Sequence, residues 1–395
     1  MKSAFSLALL VPLVACSRGE PTDPPPRPAP AGDRAMQEPA APPPAVRDGR
    51  AAASCPPLPD PVAVRPAPAA RRWPLRVATR VTGGNKTRSY RIARTSAAAS
   101  GERWAGAAYD GGVLWEGARR VRELPCGEFG CTPHDAVLAT DGKTLLIGLN
   151  RIDLASGTAT SLPEARSSIE RAGMTEVTAV AWTPDGELVI AAAHFRPSRC
   201  CRDRASESDR SPPPDRALVL DGTSGALVRE LAETHGFSHG VAASNAQLVA
   251  VTRDGLTAWD RATFTATTRE APPSASLLVF DRAGAWLATT EGGTITLWRM
   301  PDFCPVARFG AEKSFVHALA FHPTAPVLFA STEHTVHAYS LDTPGEELGA
   351  AEVTGGSGAV AQTIDSLAVT ADGKLLVVPV YLADDVLFLD VAPKN

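Results

Sequence analysis

Gly236, Ser238 and Gly240 have the spacing G-x-S-x-G, which in hydrolases forms a strained turn that exposes a nucleophilic serine. That turn needs a buried strand before it and a helix after it. The next apolar segment, Leu248–Thr252, has the character of a strand, so we interpret residues 236–240 as a loop between strands. The chain contains no H-E-x-x-H, Walker, Rossmann or EF-hand motif. We therefore predict no catalytic residue, no metal site and no cofactor.

The N-terminus carries an export signal. Lys2 is followed by a mostly apolar segment, Ala4–Ala15, which is too short to span a membrane as a helix. It ends in Leu13-Val14-Ala15-Cys16, which resembles the lipobox of bacterial lipoproteins. The resemblance implies that residues 1–15 are a signal peptide and that Cys16 is lipidated. Ser17, where Asp would retain such a protein at the inner membrane, implies the outer membrane. The alternative is an ordinary secretory signal with a chance cysteine.

Composition excludes some partners and favours β structure. The 395 residues carry a net charge of -4, which argues against nucleic-acid binding through bulk charge. Proline is concentrated in residues 17–75, which hold 17 of the 35 prolines. We expect residues 16–74 to form a disordered, extended tether that acts as a spacer. A docking segment for a proline-binding partner is the alternative.

The remainder of the chain is repetitive. A strand that ends in a turn recurs at residues 177–186, 316–323 and 364–373. A later strand in each repeat ends in an apolar residue and a polar one, which we call the marker pair. The marker pairs are Trp115-Glu116, Ile152-Asp153, Leu220-Asp221, Trp259-Asp260, Trp298-Arg299, Tyr339-Ser340 and Leu389-Asp390. Their polar residues are spaced 37, 68, 39, 39, 41 and 50 residues apart, and the insertion Arg196–Pro214 explains the long interval.

A repeat of about 40 residues corresponds to one four-stranded propeller blade. The pattern resembles the WD40 family, and Trp259-Asp260 is the dipeptide that names it. Trp-Asp occurs in one marker pair of seven and the family's Gly-His dipeptide is missing from its expected place, so the repeats are degenerate. The resemblance implies an all-β, seven-bladed propeller over residues 75–395. We expect Leu75–Val81 to close the ring by supplying the last blade's missing strand.

Six polar residues occupy one aligned column of the repeats: His134, Thr178, Ser238, Ser276, His317 and Asp365. In a WD40-like blade this position begins the innermost strand, beside the mouth of the channel on the top face. It indicates either a ligand or metal site or a solvated polar ring. The longest loops are also expected on the top face, where binding residues usually concentrate. They are residues 125–133, 163–176, 196–214 and 354–362.

Six cysteines remain besides Cys16, an even number that suits disulfides in an oxidising envelope. Blade topology places Cys55 and Cys304 on the same face, so we predict that they pair. Cys126, Cys131, Cys200 and Cys201 lie in top-face loops and pair either within each loop or across the two loops. A four-cysteine zinc site is the rival, although adjacent Cys200 and Cys201 suit tetrahedral ligation poorly.

Together these features predict a monomeric, lipid-anchored envelope protein that binds an unidentified envelope protein through top-face loops, without catalysis. An enzyme of the lactonase, hydrolase or quinone-dependent kind, with its site at the channel mouth, is the alternative. A spacer role, in which the loops have no function, is a further alternative.

Overall fold

The computed structural model describes residues 55–82, 92–97, 103–108, 111–116, 119–124, 136–138, 143–174, 176–194, 216–231, 240–252, 255–271, 275–310, 314–353, 363–380 and 385–392. Short strands and tight turns dominate these residues, as the abundant glycine and proline predict. The strands are β1 (Val62–Ala63), β2 (Arg65–Pro66), β3 (Arg76–Thr82), β4 (Ile92–Ala97), β5 (Arg103–Ala108), β6 (Gly111–Glu116), β7 (Arg119–Leu124), β8 (Ala136–Leu138), β9 (Thr144–Ile147), β10 (Asn150–Asp153), β11 (Ala159–Ser161), β12 (Glu176–Trp182), β13 (Leu188–His194), β14 (Arg216–Asp221), β15 (Leu227–Leu231), β16 (Val241–Ala243), β17 (Gln247–Thr252), β18 (Gly255–Asp260), β19 (Ala266–Arg269), β20 (Leu278–Phe280), β21 (Trp286–Glu291), β22 (Thr294–Arg299), β23 (Cys304–Gly310), β24 (Ala318–Phe321), β25 (Val327–Ser331), β26 (Thr335–Ser340), β27 (Glu346–Glu352), β28 (Ala368–Val369), β29 (Leu375–Val380) and β30 (Asp385–Asp390). A 3-10 turn covers Ala69–Arg71, and one helix, α1, covers Ala165–Arg171.

The strands form separate sheets in a β-propeller arrangement, so the fold is all-β as predicted. Six sheets take four consecutive strands each: β4–β7, β8–β11, β12–β15, β16–β19, β20–β23 and β24–β27. A seventh sheet contains β28, β29, β30 and β3. Consecutive strands within a sheet pair antiparallel, and hairpin connections of five residues or fewer join most of them.

The apolar core lies between neighbouring sheets. Leu146 of β9 and Trp182 of β12 belong to one buried cluster, and Phe309 of β23 shares another with Leu328 of β25. Trp115 of β6 packs in a third cluster with Phe388 of β30, which links the first complete sheet to the last. Neighbouring sheets cover both faces of each sheet in this way, which explains the apolar character of the central strands.

Every marker pair stands at the end of the third strand of its sheet, where the repeat predicts it. In every pair except Trp298-Arg299, the polar member accepts hydrogen bonds from the turn that follows. The Asp221 carboxylate accepts from the backbone N–H groups of Thr223 (3.0 Å) and Ser224 (2.7 Å), and Asp260 bonds to Ala262 and Thr263 in the same way. Hydrogen bonding to Ser224 holds the pKa of Asp221 below its ordinary value. Asp153, Ser340 and Asp390 accept backbone N–H groups of their turns in the same way, so five of the seven markers are turn caps that satisfy backbone donors left open by the hairpin.

The N-terminal strand pairs as expected with the last strand of the chain. β3 lies antiparallel to β30 over Arg76–Thr82, with Arg76 opposite Asp390 and Thr82 opposite Asp385. The predicted strand Leu75–Val81 therefore lies within one residue of the observed one.

Residues 55–74, which we call the strap, differ from the predicted disordered tether. The strap lies along the outer edges of two sheets: β1 pairs parallel with β23, and β2 pairs parallel with β27. Ala67 is 4 % exposed within the apolar cluster between the last sheets, and Trp73 packs against the same cluster. Because unpaired sheet edges promote aggregation, this placement protects β23 and β27.

Proline is compatible with the strap because only alternate backbone groups face the sheet. Arg65 N–H donates to the Gly345 carbonyl (2.9 Å), and Ala67 N–H donates to the Glu347 carbonyl (2.8 Å). Pro66, which has no N–H, stands between these two donors and leaves no bond unmade. The strand bulge beside Leu348 also frees its carbonyl, which accepts the Trp73 N–H at 2.8 Å.

The predicted disulfide between Cys55 and Cys304 is present and joins the start of the strap to the start of β23. Cys16, Cys126, Cys131, Cys200 and Cys201 lie outside the described residues, so their predicted lipidation and pairing stay predictions.

The segment 163–176, expected as a long top-face loop, contains α1 packed against the outer part of the β12–β15 sheet. Ala165, Ser168 and Ile169 are buried there, and the Ser168 hydroxyl donates to the Gly225 carbonyl at 3.0 Å. The loop is therefore packed at the rim, because an apolar face at helical spacing needs a partner. Residues 125–133, 196–214 and 354–362 lie outside the described residues.

Candidate functional site

The aligned polar column is described at three of its six positions. His317 immediately precedes the innermost strand β24, Ser276 lies two residues before β20, and Asp365 lies three residues before β28. Equivalent hydrogen bonds hold the first two, since Ser276 N–H donates to the Thr290 carbonyl (3.0 Å) and His317 N–H donates to the Ser331 carbonyl (2.9 Å). The sequence alignment thus matches the structure at these positions. His134 and Ser238 lie outside the described residues, and Thr178 is described only as a bulge position in β12.

Two column residues meet across neighbouring sheets. His317 Nδ1 lies 3.8 Å from Asp365 Oδ1, and the two side chains are 29 % and 35 % exposed. The Ser276 hydroxyl lies 3.3 Å from the Thr290 hydroxyl. These groups can offer hydrogen bonds and charge to a polar ligand from a fixed frame. Among the described residues, no three His, Cys, Asp or Glu side chains are grouped closely enough to hold a metal ion.

The two ends of the propeller differ in their connections. The innermost strands begin at one end of the propeller, which is the top face of the sequence analysis, and we call it the mouth face. We call the opposite end the turn face. On the turn face no connection between described strands exceeds five residues, and hydrogen-bonded turns such as Thr183–Leu188 and Asp281–Trp286 form them. Wherever more than five residues separate consecutive strands between β3 and β30, the flanking strand ends are on the mouth face, as at the ends of β7 and β8, of β13 and β14, and of β27 and β28. The longest segments between strands therefore all join strand ends at one end of a rigid frame.

The G-x-S-x-G segment continues as a strand. Gly240 leads into β16, and β17 follows after a tight turn at Ser244–Gln247. A nucleophile elbow requires a helix at this point. The described part of the segment therefore fits the predicted loop between strands.

Three tryptophans are almost fully buried in the core between the sheets. Trp182, Trp259 and Trp298 are 2 % exposed or less, and the Trp298 indole N–H donates to the Thr289 hydroxyl at 3.0 Å. The Trp182 indole N–H donates across to the Gly148 carbonyl of the preceding sheet at 2.8 Å. These contacts leave none of the three rings free for ligand stacking.

Sequence reasoning missed a partly buried polar network on β26 and β27. His337 Nδ1 lies 2.6 Å from Glu347 Oε1, and its Nε2 lies 3.4 Å from the Thr332 hydroxyl. Burial, reinforced by the Glu347 charge, raises the pKa of the neighbouring Tyr339 hydroxyl. The hydroxyl, imidazole and carboxylate follow the order of a catalytic triad, but Thr332 is only 7 % exposed. We assign the network to the packing of these strands, since a nucleophile must reach its substrate.

His322 also has a structural role. Its Nδ1 accepts the backbone N–H groups of Thr324 (3.2 Å) and Ala325 (2.9 Å), so the neutral ring carries its proton on Nε2, which donates to the Gly373 carbonyl at 2.9 Å. The Trp73 ring contacts it edge-on at 5.5 Å. His322 thereby ties the turns of two sheets to the strap.

Lowering the pH is expected to destabilise the protein through His322. Burial lowers the pKa of His322 from its usual 6.5 in spite of the bond to Gly373. The unfolded chain therefore binds a proton at pH values where the folded chain does not, and stability falls as the pH drops below about 6.5. Urea unfolding at pH 7.5 and pH 5.0 measures this loss.

The matched variants are His322→Asn, in which the amide oxygen can still accept the turn N–H groups, and His334→Asn at an exposed histidine. We expect His322→Asn to be less stable at pH 7.5 but to lose less stability on acidification than the unmodified protein. His334→Asn should behave as the unmodified protein does. An unchanged pH slope in His322→Asn contradicts the assignment.

No protein-family model matches the chain, and no curated protein matches it. The assignments above therefore depend on the structure alone. Among the described residues, no helix is long and apolar enough to cross a membrane.

Proposed function

We propose that this protein is a lipid-anchored scaffold of the bacterial envelope, held at the outer membrane, whose WD40-like propeller has seven blades and binds a partner protein on its mouth face without catalysis. Cys16 carries the lipid, and residues 17–54 connect it to the strap.

The seven-bladed, closed ring is supported by two features. Each of the seven sheets has four strands from the repeat region or its flanking strand β3, and two sheets gain a further strand from the strap. The cluster that joins Trp115 to Phe388 links the first complete sheet to the sheet that ends the chain. A closed ring would leave no free sheet edge where β3 pairs with β30.

The observation that carries the binding function is the difference between the two faces. The strand ends that flank the long connections are on the mouth face, together with partly exposed polar residues such as His317 and Asp365, while the described strands are joined on the turn face by at most five residues, several of them in hydrogen-bonded turns. Loops on a rigid scaffold can vary without loss of the core, which suits a surface that recognises a protein. The strap covers the outer edges of β23 and β27, so these edges are not free to bind a partner. The mouth face is therefore the favoured binding surface.

Site-specific photo-cross-linking in intact cells tests this proposal. A photoreactive residue at His317 or Asp365 is expected to yield one defined protein adduct. The same residue at Glu187 or Lys374, which are exposed on the turn face, is expected to yield none. Adducts from the turn-face positions alone would overturn the assignment. The enzyme alternative predicts instead a turnover activity that His317→Ala abolishes.

Lipid anchoring is tested separately. Fatty-acid labelling of the full chain should depend on Cys16 and disappear in Cys16→Ser. Labelling that persists in this variant contradicts the proposed anchor.

A further inference from the structure

The strap and β3 concentrate positive charge. Residues 55–82 contain five arginines and a single acidic residue, Asp60, in a protein whose net charge is -4. Two of these arginines face acids: Arg71 bonds the buried Glu346 at 3.0 Å, and Arg80 lies 3.8 Å from Asp385.

Arg72 and Arg76 are exposed, and their guanidinium groups have no hydrogen-bond or ion-pair partner among the described residues. They flank a groove of ≈ 400 Å³ between the strap and β27. Uncompensated guanidinium groups bind phosphate through charge-assisted hydrogen bonds. The groove therefore has the charge that an anionic group requires.

The walls of the groove are rigid. Trp73 forms one of them, and its indole N–H donates to the Val391 carbonyl at 2.9 Å, which fixes the ring. Gly349 lies so close to the strap that a Cβ there would stand 2.8 Å from the Trp73 carbonyl oxygen. Glu347 is the acid in the lining, and it is engaged with His337.

We propose that this groove binds the phosphate of an anionic lipid headgroup, so that the rim formed by the strap and β3 lies against a membrane surface. The inference rests on the proposed lipid anchor. Cys16 and Cys55 are 39 residues apart, and a chain of that length spans at most roughly 120 Å. Tethering at such a distance raises the effective concentration of the membrane, so a modest attraction is enough.

Sheet-edge protection is another use for arginine, and it accounts for Arg76 and Arg80 on the outer strand of their sheet. It does not account for Arg72, which follows the 3-10 turn and lies in no strand. Lipid binding predicts that the protein prefers anionic vesicles, whereas edge protection predicts no such preference.

The test uses the full chain with Cys16→Ser, so that binding does not depend on acylation. Sedimentation is measured with vesicles of phosphatidylcholine alone and with vesicles containing one-third phosphatidylglycerol. We expect binding to the anionic vesicles only, and weaker binding as salt rises. Arg72→Gln combined with Arg76→Gln should lower the partition coefficient about twenty-five-fold, since each arginine near an anionic surface contributes about fivefold.

The matched control is Arg282→Gln combined with Arg299→Gln, which changes net charge equally at two exposed arginines elsewhere. It should bind about as the unmodified chain does. Equal losses in the two double variants, or binding that ignores phosphatidylglycerol, would overturn the inference. Binding of glycerol 1-phosphate without binding to anionic vesicles would also overturn it. Because acylation is absent throughout, failure here is distinguishable from failure of fatty-acid labelling at Cys16.

Discussion

Loss of the Cys55–Cys304 disulfide is expected to lower the free energy of unfolding by about 4 kcal/mol. The bond closes a loop between residues 249 apart in sequence, so it removes much of the conformational freedom of the unfolded chain. It also holds a segment with few other attachments. Between Pro56 and Pro61 only Leu58 and Asp60 have backbone N–H groups, so few hydrogen bonds can replace the covalent link.

Urea unfolding of Cys55→Ser, Cys304→Ser and the double variant measures this effect. Because either substitution removes the same bond, the three variants should lose similar stability, and the losses should not add. Hydrogen exchange should accelerate along the edge of β23 that β1 covers, near Phe309 and Gly310, and change little at β2, which the bonds of Arg65 and Ala67 hold. Additive losses, or stability equal to that of the unmodified protein, would contradict this account.

Trp298→Ala is expected to destabilise the protein by about 4 kcal/mol, because it removes the largest kind of side chain from a fully buried position. The ring packs against Phe303 with centroids 5.4 Å apart, in a cluster that also includes Leu58 of the strap. Its loss therefore leaves a cavity that a rigid sheet and the attached strap cannot fill.

Thermal and urea unfolding test this prediction, with Trp286→Ala as the matched control. Trp286 lies in the same sheet but is only partly buried, so its loss should cost about half as much or less. Thr289→Val should cost about 1–3 kcal/mol, since it leaves the buried Trp298 N–H without an acceptor. Equal losses for the two tryptophans would show that burial does not govern their contributions.

Much of the fold could be predicted because the signal repeats. The marker pairs recur at the third strand of each sheet for a local reason: a side chain such as Asp221 or Asp260 caps its own turn within three residues. Apolar strands between tight turns then define the blades, and the same alignment locates Ser276 and His317 at equivalent strand starts. The disulfide prediction also followed from topology, because the order of strands places Cys55 and Cys304 on one face.

The strap shows where this reasoning stops. Its composition is that of a disordered tether, and nothing local specifies that β1 and β2 pair with strands more than 240 residues away. Two features of residues 55–74 are informative in retrospect, namely Trp73 within a proline-rich segment and N–H donors on both sides of Pro66. The Arg72–Arg76 groove exists only because the strap docks on β27.

The sequence by itself determined the all-β repeat architecture, the turn caps, the strand β3 that pairs with β30 and the equivalent strand starts at Ser276 and His317. Each of these depends on residues close in the chain or on an exact periodicity, which sequence preserves. Only the tertiary structure decided that the strap is ordered, that α1 packs at the rim, and that His317 meets Asp365 while His337 meets Glu347. These contacts join residues from different strands, sheets or connections, so they depend on sheet packing and edge pairing that no local pattern encodes.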